Sequence, residues 1–223
     1  METKKRIDAK TLVILALLSA IAAVLMLLVR ISFMPAAMFL VYDPKDIIIA
    51  IGGLMYGPLA VLPMSIIVSF VEMVTVSADG WVGLVMNIIS TCAFACPAAL
   101  IYRKRRTLSG AVIGLIAGWL IVTAVMVLWN YIITPVYRGF PREVIVPMLP
   151  TIFMPFNLIK YGLGAATTML IYKPLSITLK KMNILQKSEG KASKLSILTG
   201  VLLAVCLAVI PVILLVLVLN GVI

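Results

Sequence analysis

From Thr11 to Val29 the chain runs nineteen residues without a charge, and comparable apolar stretches recur to the C-terminus. A helix needs about 20 such residues to cross a ~30 Å hydrocarbon core. That requirement constrains the chain more than any motif: it is expected to be an all-α, polytopic membrane protein. The content of hydrophobic residues, 63%, agrees, since ordinary soluble domains lie nearer half. Thr11–Val29 is longer than the core of a signal peptide and has no small-residue cleavage site directly after it, so it reads as a retained first span.

The run from Asp46 to Val76 sets the topology. As one helix its 31 residues reach about 46 Å, too long for one crossing. Gly52, Gly53 and the Gly57-Pro58 pair divide it into a short span, 44–56, and a fuller one, 58–77. Further spans are expected at 81–102, at 108–133, from about 147–151 to Tyr172, and at 195–219. The result is a six-helix transmembrane bundle with an additional C-terminal transmembrane helix. It divides into a six-helix unit (1–175), a basic linker (176–194) and the extra helix (195–223).

A net charge of +11 raises the question of nucleic acid, but the basic residues sit in loops between apolar runs. That is the pattern of orientation in a membrane, so lipid and not nucleic acid is the expected surroundings. Two spans within 46–76 place the N-terminus, Arg103-Lys-Arg-Arg106 and the Lys-rich linker together on the cytoplasmic side. Fourteen Lys and Arg then lie inside, against Arg30, Lys45, Arg138 and Arg142 outside. Residues 30–45 become an apolar outer loop rich in Phe, Met, Leu and Tyr, which reads as a lid.

There is no histidine, and Cys92, Cys96 and Cys206 lie within apolar runs, as small packing residues do. No metal site, cofactor or P-loop is expected, so energy from ATP has to come from a partner. Gly110, Gly114 and Gly118 form a stripe for close helix packing, and Ala16 with Ala20 forms a smaller one on the first span. The exceptional residue is Lys160, an ammonium inside a span with Asn157 three residues before it on the same helix face. It serves either a ligand or a structural end, snorkelling to an interface or pairing with an acid such as Glu72. With Asn130 at the same outer depth, amides, an ammonium and aromatic walls suit a flat heterocycle with a hydroxylated tail.

Several ordered stretches carry a resemblance. FLVYDPKDIIIAIGGLMYGPLA (39–60), GWVGLVMN (80–87), NYIITPVY (130–137) and PFNLIK (155–160) resemble riboflavin-specific S components of energy-coupling factor (ECF) transporters, the RibU family, over about residues 10–175. The resemblance implies a non-enzymatic subunit that captures riboflavin at the outer face of the cell membrane, with FMN left open. It also implies docking on a membrane coupling subunit carried by two ATPases. On the same ground Asn130, Asn157 and Lys160 match the residues that hold the flavin, and Leu40 matches a loop position near it. Tyr42 and Asn87, inside the matching stretches, join the candidate ligand set, and Ala16 and Ala20 match the docking motif. The extra helix departs from the six-helix pattern and is expected to be dispensable for binding. The alternatives are an S component for pantothenate or thiamine, a secondary transporter, for which no repeated halves are visible, and a membrane enzyme, for which catalytic groups are lacking.

Overall fold

A computed structural model of the protein describes residues 8–181 and 194–221. Helix α1 covers Ala9–Leu28, and the long apolar stretch after the loop that follows it forms two helices, α2 (Lys45–Tyr56) and α3 (Pro58–Thr75). Gly57 between them has φ +95°, which L side chains rarely adopt. Pro58 opens α3 at a position where a missing N–H costs nothing. A Cβ at Gly57 would come within 3.9 Å of the Arg103 side chain, so this turn and the basic tetrad share one end of the bundle.

Helices α4 (Gly80–Arg105) and α5 (Leu108–Ile132) form the most closely packed pair. Thr107 caps α5, its Oγ1 accepting the Gly110 N–H at 3.1 Å. The glycine stripe explains the approach: a methyl at Gly114 would come within 2.7 Å of the Ala98 carbonyl oxygen, and one at Gly118 would overlap that of Phe94. Two short helices follow, α6 (Thr134–Arg138) and α7 (Arg142–Met148), then a π-helical turn (Leu149–Phe153) that leads into α8 (Met154–Lys181). The last helix, α9, spans Lys194–Leu219.

One expected boundary is corrected. The sixth span does not begin at 147–151; a helical path runs unbroken from Arg142 to Tyr172. Pro147, Pro150 and Pro155 do not stop it, because a wider turn absorbs residues that cannot donate to the helical ladder. Helix α8 continues to Lys181, into the expected linker, and residues 182–193 lie outside the described residues.

Five stretches among the described residues are long and apolar enough to cross a membrane: α1, α3, α4, α5 and the path 142–172. The expected short span is α2, whose 12 residues reach only about 18 Å. Nine of those residues are buried, Lys45 and Asp46 at its start included. The loop before α2 therefore dips into the bundle, and the helix begins below the rim at that end. α1 packs on α2 and α3, whereas α9 packs on α5 and α8. The α8–α9 contact is close enough that a Cβ at Gly162 would collide with the Pro211 ring. α9 is thus part of the packed bundle, with Leu207 in the main core and Val218 in a second cluster under the loop.

Candidate functional site

The loop between α1 and α2 folds over one end of the bundle. Its base is closed by an antiparallel bridge, with the Ile31 N–H donating to Tyr42 O at 3.0 Å and the Tyr42 N–H to Ile31 O at 2.8 Å. Between them Pro35–Ala37 makes one 3₁₀ turn. Met34, Ala37 and Leu40 bury themselves against Ile145, Phe153, Phe156 and Ile159, and Phe33 stacks on Phe156 at 5.3 Å. The apolar loop is therefore a lid, as its composition suggests.

Beneath the lid is a cavity of about 290 Å³. It brings together five of the six ligand candidates: Leu40 from the lid, Asn87 from α4, Asn130 from α5, and Asn157 and Lys160 from α8. Tyr42 is not in its lining and serves instead at the base of the lid. Asn130 and Asn157 are held alike. Each donates one N–H, at 2.7 Å, to the carbonyl four residues earlier on its own helix, Met126 and Phe153 respectively. Asn130 Oδ1 also accepts the Thr134 hydroxyl at 2.9 Å. Trp119 of α5 donates its indole N–H to the Leu158 carbonyl of α8 at 2.9 Å, which fixes the register of the two amide-bearing helices.

Lys160 does not reach Glu72. Its Nζ donates to Asp43 Oδ2 at 2.9 Å and to the Val41 carbonyl at 3.3 Å, both near the lid's end. Lys45, 1% exposed, takes Glu72 instead, at 2.5 Å, and also reaches Asp43 and the Asn87 amide oxygen. Asn87 returns an N–H to Glu72 at 3.0 Å, Arg30 reaches the other Glu72 oxygen at 3.5 Å, and Thr91 donates to Asp46 at 2.5 Å. A buried charge without a partner costs several kcal/mol, so this lattice of opposite charges is what allows the cavity floor to be ionic at all.

Asp43 and Lys45 carry this lattice but are absent from the sequence-derived candidates, which count Lys45 among the outer loop charges and name Glu72 only as an acid for Lys160 to pair with. A usable signal exists: Glu72 is an acid inside a span, and Asp43-Pro-Lys-Asp46 directly precedes one. Ala16 and Ala20 are far from all this in character. Both are exposed on α1, on the side away from its buried residues Leu15, Ser19, Ala22 and Met26.

Residues 10–176 match the sequence model of the family described as "ECF transporter, substrate-specific component". The chain belongs to this family. The S component matches "Riboflavin transporter FmnP" of Bacillus subtilis (strain 168) at 31% identity over 160 residues, 68% of this chain and 84% of that one. "Riboflavin transporter RibU" of Streptococcus thermophilus (strain ATCC BAA-250 / LMG 18311) matches at 26% over 179 residues, 75% of this chain and 85% of that one. The solved structure described as "Structure and mechanism of the S component of a bacterial ECF transporter" is similar with a TM-score of 0.66 at 26% identity. It covers 77% of this chain and 98% of that one. The S component is thus a multi-pass membrane protein of a transport system. Its lid, cavity and charge lattice all lie inside the matched range, and α9 lies beyond it.

Proposed function

We propose that this S component captures riboflavin at the outer face of the cell membrane and delivers it to an ECF coupling subunit driven by two ATPases. The observation that carries the reading is the lidded cavity in which Asn87, Asn130, Asn157 and Lys160 converge with Leu40. Primary amides offer both a donor and an acceptor, the edge pattern of a flavin heterocycle. The aromatic and aliphatic lining suits the ring system, and the charged groups suit the hydroxylated tail. The names of the relatives favour the same ligand.

The remaining parts of the proposal follow the charge pattern and the fold. The N-terminus and residues 103–106 face the cytoplasm, and the lid faces outward. Residues 1–175 form the capturing unit, the protein acts without catalysis and without a bound cofactor, and α1 docks on the coupling subunit through Ala16 and Ala20. The test is a titration of purified protein with riboflavin, thiamine and pantothenate. Saturable quenching of riboflavin fluorescence at one ligand per protein is expected. Binding of thiamine or pantothenate in its place refutes the assignment.

A further inference from the structure

Three cations line the cavity, Arg30, Arg138 and Lys160, and so do three acids, Asp43, Glu72 and Asp79. Each cation is joined to an acid: Lys160 to Asp43 at 2.9 Å, Arg30 to Glu72 at 3.5 Å and Arg138 to Asp79 at 2.5 Å. Behind the wall, Lys45 and Asp46 balance as well. A cavity with so many cations invites a phosphate, yet its charges sum to zero among the described residues.

The three pairs differ in their access to water. The Lys160 and Asp43 side chains are 9% and 3% exposed and Arg30 and Glu72 27% and 8%, against 27% and 17% for Arg138 and Asp79. Arg138–Asp79 is thus the pair whose acid as well as its base reaches the mouth, where Arg138 also lies 4.7 Å over the Phe39 ring of the lid. On the reading in which the deeper amides hold the heterocycle, the polar tail of a flavin would extend toward this pair. A phosphate monoester there carries about −1.5 to −2 charges near neutral pH. It meets a guanidinium already engaged and a carboxylate of its own sign.

We infer that the Arg138–Asp79 pair is a specificity determinant that admits the uncharged flavin and rejects its 5′-phosphate. The inference rests on the flavin reading above. Asp79 is the active member: it is the most exposed acid of the cavity, and it neutralises Arg138, as the deeper Glu72 neutralises Arg30, the other arginine a phosphate could meet.

The experiment is a pair of titrations, riboflavin and FMN, on wild type, Asp79→Asn and Arg138→Gln, with the ratio of the two dissociation constants as readout. Wild type is expected to hold riboflavin at least about tenfold tighter than FMN, since like-charge contacts disfavour the wrong partner. Asp79→Asn frees Arg138 and narrows the ratio several-fold; Arg138→Gln leaves Asp79 alone and widens it. Opposite shifts of this kind do not arise from general loosening, and Arg138→Gln serves if Asp79→Asn does not fold. Equal affinity for the two flavins in wild type, or an unmoved ratio in the folded variants, overturns the inference while leaving the flavin reading intact. Failure of wild type to bind either flavin overturns both.

Discussion

Replacing Lys160 by methionine separates two roles that this residue holds at once. The structure ties its Nζ to Asp43 and to the Val41 carbonyl, so the substitution unfastens the lid from α8 and leaves Asp43 short of a partner. Asp43 keeps Lys45, whose Nζ is 3.4 Å away and whose backbone N–H donates at 3.3 Å. Breaking a buried pair from one side costs about 3–5 kcal/mol, and the retained Lys45 contacts put this case at the lower end. For a chain of this size about 3 kcal/mol lowers Tm by roughly 6–12 °C. Asp43→Asn is expected to cost a similar amount. The double variant Asp43→Asn/Lys160→Met leaves neither charge without its partner and should recover about 1–3 kcal/mol relative to the sum of the singles. Riboflavin affinity should behave otherwise. If the ammonium also donates to the ligand, the double variant stays weak by about 1–3 kcal/mol, roughly five- to over a hundredfold. Thermal unfolding in detergent and fluorescence titration read the two quantities on the same samples. Strictly additive stability losses would refute the ion pair as a structural tie. Affinity restored to wild type in the double variant would refute Lys160 as a ligand residue.

Other outcomes are expected along the chain. Ala16→Trp and Ala20→Trp point away from the bundle and should preserve flavin binding and fold while abolishing uptake with the ATPase module; normal uptake by both variants would move the docking face elsewhere. Gly118→Ala should cost about 1–3 kcal/mol, because the added methyl meets the Phe94 carbonyl, whereas Gly164→Ala, with nothing within 4 Å, should be tolerated; equal Tm values for the two would refute the packing argument. Truncation after Lys181 should retain flavin binding, because every cavity-lining residue precedes that point, yet lower Tm by uncovering Gly162 and the second apolar cluster. Complete loss of binding in folded truncated protein would make α9 part of the site.

Much of this arrangement is legible in the sequence because membrane segments obey strong local rules. The length of 46–76 and the Gly57-Pro58 pair demand a break, and the break is there. Gly114 and Gly118 announce a close helix contact, though not that α4 supplies the other side. Asn130, Asn157 and Lys160 do line one cavity. What stays hidden is pairing: Lys160 meets Asp43 across 117 residues and Lys45 meets Glu72 across 27, and periodicity reports a face but never its partner. Lys45 shows the difficulty best. A lysine after Asp-Pro at the edge of an apolar run reads as a loop charge, but the loop dips, and the side chain ends 1% exposed. The π turn is hidden for a related reason. Prolines at 147, 150 and 155 suggest interruption, and only the surrounding helices decide that the chain continues through them.

The position of α9 bears on how such a protein acquires new parts. It leans on α5 and α8, while α1, with Ala16 and Ala20 turned outward, leans on α2 and α3. The extra helix has thus been added to a different flank from the one proposed to meet the transport machinery. The surface proposed for docking is thereby left as it is without α9. A seventh helix whose Pro211 packs on Gly162 can therefore be carried without altering the α1 face.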